Sequence, residues 1–216
     1  MTPDQRLRWL AKPAAFAACS APLVVLAFRA FEVGGLTLGT NPVAELIHEL
    51  GRWGLNLLLV TLAITPLRQL TGWPHWLRFR RLVGLWAFAY VALHMAAYAV
   101  IDQGLAWEVL VEDVLKRPWI TIGLAGFLLL LPLALTSTRG WMRRLGRRWQ
   151  TLHYAIYPAT ALGVWHFYWQ VKQDVTEPVL YALGFALLMG WRWRHARRRA
   201  AATGGLATTA AVDARR

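Results

Sequence analysis

Six apolar runs, at roughly residues 13–31, 43–66, 82–101, 119–136, 149–169 and 178–194, constrain this chain more than any other feature. Each approaches the ~20 residues with which an α-helix crosses a bilayer. In hydrocarbon every backbone N–H and C=O must find a partner inside the protein, so such a run folds as a helix. The segments between the runs alternate in charge. One side carries Arg6, Arg8 and Lys12, then Arg68, Arg78, Arg80 and Arg81. It continues with Arg139, Arg143, Arg144, Arg147 and Arg148, and ends with Arg192, Arg194, Arg197, Arg198, Arg199, Arg215 and Arg216. The other side, with its helix ends, has only Arg29, Arg52, Lys116, Arg117 and Lys172, but nine of the eleven acids. Basic segments stay in the cytoplasm, so the expected architecture is an all-α six-transmembrane-helix bundle with both termini inside.

Composition agrees. With 57% hydrophobic and 16% charged residues, neither a disordered chain nor a soluble globule is expected. The net charge of +13 would suggest nucleic acid on a soluble protein. Here it is spread over alternate loops, which excludes that partner and leaves membrane lipid. The first run follows basic residues as a signal peptide would, but it is long and lacks a small-x-small cleavage site, so it reads as a retained helix. Residues 1–12 form a cytoplasmic tail, 13–195 the membrane domain, and 196–216 a basic tail without a periodic apolar face, expected to be disordered. No internal repeat is evident. The single cysteine, Cys19, excludes an intrachain disulfide, Cys-x-x-Cys-His heme attachment and a four-thiolate cluster, and reads as a small buried apolar residue. No dinucleotide or Walker A fingerprint occurs, so a redox protein of this kind takes its reductant from outside the chain.

Six histidines are present: His48, His75, His94, His153, His166 and His195. His75 and His195 fall in basic loop and tail and read as solvated. His48 sits near the outer end of span two, where a wet polar residue, a ligand and a quinol contact are all open readings. Arg52 and Asn56 continue its face at helical spacing, and that stripe should face the bundle. His94, His153 and His166 lie inside spans three and five, where an ionisable group needs a partner. His153 and His166 are thirteen residues apart, about 20 Å along one helix, and Arg80 precedes His94 by fourteen, about 21 Å. Arg80 and His153 therefore fall at an inner level, His94 and His166 at an outer one. An ideal helix sets His153 and His166 ~140° apart in facing; Pro158 lies between them, and a kink there would realign the faces. Neutral imidazoles on two helices at one depth suit axial ligation of heme iron, with both positions filled for electron transfer. At the inner level only His153 is a good ligand, while Arg80 suits a heme propionate or another anion.

At these residues the chain resembles a family. The matching segments include Asn41-Pro42, Gly51-Arg52-Trp53, Thr65-Pro66-Leu67-Arg68, Arg80-Arg81-Leu82-Val83-Gly84-Leu85, Leu93-His94 and Lys116-Arg117-Pro118-Trp119. They continue with Leu135-Thr136-Ser137-Thr138, Trp149-Gln150-Thr151-Leu152-His153 and His166-Phe167-Tyr168-Trp169. Together they resemble the heme-binding membrane subunits of periplasmic protein-methionine-sulfoxide reductase systems, the MsrQ/YedZ family of the ferric-reductase-like transmembrane superfamily. The likeness covers about residues 10–195. It implies a multi-pass protein of the bacterial inner membrane binding one or two b-type hemes and FMN. It also implies electrons from a cytoplasmic flavin reductase or the quinone pool, passed to a periplasmic molybdopterin-containing methionine sulfoxide reductase catalytic subunit. The family's heme histidines correspond by position to His94, His153 and His166. Larger relatives carry a second inner histidine on span three where this chain has Arg80, and a flavin/NADPH domain that this chain lacks. Both departures argue against a self-sufficient oxidase.

Two other functions compete: a stand-alone ferric reductase or quinol-linked b-type cytochrome, and a small transporter with a His/Arg proton relay. The second lacks the broken-helix inverted repeat that would support it.

Overall fold

The computed structural model describes residues 2–171 and 174–213; Lys172, Arg215 and Arg216, counted above, lie outside them. Every regular element among the described residues is helical. The chain begins with α1 (Pro3–Arg6), a π-helical turn (Leu7–Ala11) and α2 (Lys12–Ala30). The long α3 (Pro42–Thr71) follows, then α4 (Leu77–Ala96) with a π-helical extension (Ala97–Asp102). A short α5 (Trp107–Lys116) leads into α6 (Pro118–Leu135). Then come α7 (Arg139–Leu145), α8 (Arg147–His153), α9 (Ile156–Gln170) and α10 (Thr176–Asp213).

Local chemistry sets several of these boundaries. The Asn41 side chain accepts a hydrogen bond from the Ala44 N–H (3.2 Å) and Pro42 occupies the first turn of α3, where its missing N–H costs nothing. Gly72 ends the same helix at φ 68°, in the left-handed region that glycine enters without strain.

Four helical stretches are long and apolar enough to cross a membrane: Leu7–Ala30, Pro42–Thr71, Pro74–Asp102 and Pro118–Leu135. The fifth and sixth apolar runs of the sequence are not among them. The fifth is divided between α8 and α9, and α9 has 15 residues, about 22 Å of helix against a hydrocarbon core of ~30 Å. In the sixth, α10, the apolar stretch lies between Glu177 and Arg192. The backbone of α10 runs on to Asp213, through much of the segment whose composition suggested disorder.

The most extensive contacts are between α3 and α4 and between α6 and α9. These two hairpins join through α3–α9 and α4–α6 contacts into a four-helix centre. Helix α2 packs on α3 and α4, where the fully buried Tyr90 donates from its hydroxyl to the Cys19 carbonyl at 2.9 Å. Cys19 is a buried free thiol, as expected of a small apolar residue. Helix α10 packs on α3 and α9, and the polar stripe of α3 is what it meets. Arg52 pairs with Glu177 at 3.4 Å and the Tyr181 hydroxyl donates to Asn56 Oδ1 at 2.9 Å. The stripe thus faces the bundle, as an expensive polar row in an apolar setting must. The amphipathic α5 is pinned through Asp113, 4% exposed, which accepts from the Tyr98 hydroxyl and pairs with Arg117 at 3.1 Å.

Candidate functional site

His94 near the end of α4 and His166 on α9 come together, with ring centroids 6.1 Å apart and planes inclined by 76°. Each ring is fixed by one hydrogen bond to a neighbouring helix. His94 Nδ1 meets the Ile47 carbonyl of α3 at 2.8 Å, and His166 Nδ1 meets the Trp119 carbonyl of α6 at 2.7 Å. A carbonyl oxygen only accepts, so Nδ1 carries the proton in both rings and Nε2 keeps a lone pair. This is the second-shell arrangement that orients a metal-ligating histidine.

Two glycines make room for the rings. A Cβ on Gly51 would lie 3.1 Å from His94 Nδ1, and one on Gly123 only 2.8 Å from His166 Nδ1. Any other residue at Gly123 would displace the ring from its carbonyl. Two imidazoles on opposite sides of one metal, at ~2.0–2.1 Å per bond, have centroids roughly 6 Å apart. The observed pair therefore fits bis-imidazole ligation of an iron.

The two hairpins repeat one another. Trp119 lies 72 residues after Ile47, Gly123 lies 72 after Gly51, and His166 lies 72 after His94. The same offset relates Gly54, whose Cβ would meet Val91 and Tyr90, to Gly126, whose Cβ would meet Gly163 and Leu162. The cross-contacts obey the relation too, since α3–α9 and α4–α6 exchange under it. The absence of an evident repeat in the sequence is corrected here: the repeat lies in a few small and ligand-bearing positions, while the apolar residues between them have diverged.

At the inner level the structure brings Arg80 close enough to His153 to act on it electrostatically. His153 is the last residue of α8, and the chain turns at Tyr154–Ala155 before α9 begins. Pro158 explains the break, because it has no N–H for the Tyr154 carbonyl and its ring clashes with that turn. His153 and His166 therefore stand on separate helices, and the single-helix facing angle no longer applies. His153 Nδ1 donates to the Trp149 carbonyl at 3.0 Å, its ring stacks on Trp149 at 3.8 Å, and its buried Nε2 has no partner. Here too Nδ1 carries the proton.

The remaining histidines go elsewhere. His48 accepts at Nε2 from the Gln170 side chain at 2.7 Å, linking α3 to α9. His75 packs against Trp73 at 5.3 Å and His195 against Trp191 at 4.8 Å. Sequence reasoning had not given roles to Gly51, Gly123, the Ile47 and Trp119 carbonyls, or Arg192. The 72-residue spacing was the available sign of the first four; nothing in the sequence singles Arg192 out from its basic neighbours.

Comparison with known proteins agrees with this geometry. Residues 50–164 match the family described as ferric reductase like transmembrane component. The chain is 53% identical over 188 residues to the protein-methionine-sulfoxide reductase heme-binding subunit MsrQ of Xanthomonas axonopodis pv. citri (strain 306), covering 85% of this chain and 86% of that protein. It is 52% identical over 184 residues to the protein of the same description from Caulobacter vibrioides (strain ATCC 19089 / CIP 103742 / CB 15), with 85% and 86% covered.

Proposed function

The chain belongs to the ferric-reductase-like transmembrane family, among the MsrQ heme-binding subunits, and from that premise we propose that it conducts electrons across the bacterial inner membrane. In this reading six helices span the bilayer, both termini are cytoplasmic, and α9 and α10 supply the last two spans. A b-type heme is held at the outer level by Nε2 of His94 and His166. The bound heme supplies a one-electron carrier. The protein's own residues fix its ligands: the Ile47 and Trp119 carbonyls hold the imidazole protons away from the iron, and Gly51 and Gly123 let the rings lie against α3 and α6. The surrounding apolar helices exclude water, which with ligand identity sets the potential.

Electrons enter from a cytoplasmic flavin reductase or from quinol, with FMN as a further carrier. They leave to a periplasmic molybdenum-containing methionine sulfoxide reductase subunit, where the sulfoxide chemistry of protein repair takes place. The observation that carries the reading is the 6.1 Å pair of imidazoles, each pinned through Nδ1.

Purified protein should be red, with a low-spin b-type reduced-minus-oxidised spectrum. A colourless preparation, or full retention of that spectrum in both His94→Ala and His166→Ala, defeats the assignment. Co-purification with the periplasmic subunit separates this reading from a stand-alone ferric reductase or quinol-linked cytochrome. Reporter fusions at both termini and after residues 103 and 173 test the six-span topology.

A further inference from the structure

The inner end of the bundle carries more positive charge than the fold accounts for. Arg192 on α10 and Arg80 on α4 are near enough to interact electrostatically, and Arg80 interacts likewise with His153. Among the described residues, the ion pairs lie at the other end of the molecule and join neither guanidinium to a carboxylate. Two like charges held together away from bulk water repel.

Arg192 has a structural task. Pro66 has no N–H, so the Leu62 carbonyl lacks its helical donor, and Arg192 Nη2 supplies one at 2.6 Å. That uses one of five donors. The guanidinium also sits 5.3 Å from the centroid of the Tyr157 ring. Its Nε is buried without a hydrogen-bond partner, and so is Nε2 of His153. Capping Leu62 explains neither the dry Nε nor the second arginine. An oxyanion explains both, since the edge of a guanidinium matches a carboxylate or phosphate through two parallel hydrogen bonds.

We propose that Arg192 and Arg80 form the cationic wall of an anion site at the inner end of the bundle, which takes the phosphate or carboxylate of a planar redox cofactor lying beside His153. The proposal rests on the electron-transfer reading and names the residues that receive the carrier on the electron-entry side. The shared ligand chemistry is an oxyanion on a flat conjugated ring. FMN would offer it as a phosphate, a second heme as propionates.

The test uses the full chain purified in detergent. FMN binding is followed by quenching of flavin fluorescence, riboflavin serves as the same ring without the phosphate, and heme per polypeptide is measured in parallel. If FMN is the source, Arg192→Gln lowers FMN affinity about tenfold or more, the scale of a lost charge-assisted pair, and leaves riboflavin unaffected. If heme is the source, Arg192→Gln lowers the heme-to-protein ratio while the His94/His166 spectrum persists. Arg80→Gln gives the same loss from a different helix and carries the test should Arg192→Gln not fold. Arg192→Lys keeps the charge but not the two-pronged edge and loses less.

The proposal is overturned if Arg192→Gln and Arg80→Gln both keep wild-type FMN affinity and heme content. It is equally overturned if FMN and riboflavin weaken together with heme content unchanged, which leaves the arginine only its Leu62 cap. Wild-type protein that binds no FMN and one heme per chain overturns it as well. In each of these outcomes a persisting outer spectrum shows that the electron-transfer reading survives.

Discussion

At the outer level two imidazoles come from equivalent hairpins, each with a carbonyl and a glycine behind it; at the inner level one imidazole stands with two guanidiniums. The offset that pairs His94 with His166 pairs His153 with Arg81, and Leu152 with Arg80. The repeat therefore fails at the inner level, where α8 has separated from α9. A duplicated hairpin supplies matched ligands on either side of a shared axis only while both copies stay regular. Once one copy breaks, its inner half is free to become a different kind of site.

The most drastic way to break this comparison is at the outer pair. His94→Ala and His166→Ala should each abolish the low-spin b-type spectrum, because one imidazole cannot fill both axial positions. His153→Ala should lower total bound cofactor but leave that spectrum in place; loss of the outer signal here would mean that the two levels are one site. Next come the glycines. Gly123→Ala places a Cβ 2.8 Å from His166 Nδ1 and should cost about 1–3 kcal/mol in stability, with reduced heme occupancy in absorbance titration. Gly51→Ala, at 3.1 Å from His94, should cost less, and the ordering sharpens the claim that the copies are equivalent but not identical. The smallest effect belongs to Arg52→Gln. Its pairing with Glu177 has side chains 32% and 54% exposed and should contribute at most about 1 kcal/mol, with no change in the heme spectrum. A thermal-shift series on the purified chain reads these differences.

Much of this was legible in the residues. The runs at 43–66, 82–101 and 119–136 correspond to α3, to α4 with its extension, and to α6, since apolar length alone dictates helix in lipid. The shared depth of His94 and His166 followed from counting along two helices. The α8–α9 break was visible only as Pro158, which marks a weakness without saying whether the helix bends or ends. Helix α5 was hidden in a loop too short and too mixed to read as a span. Arg192 looked like one of several tail arginines, because its distinguishing partner, the Leu62 carbonyl, is 130 residues away.

The sequence by itself determined where the backbone must be helical and which histidines lie at the same height, since both depend on spacing along one chain direction. Only the tertiary structure decided which imidazole nitrogen is left free and which arginine is left unsatisfied. Those properties belong to contacts between helices: His94 and His166 each reach a carbonyl 47 residues back, and Arg192 reaches across to α3.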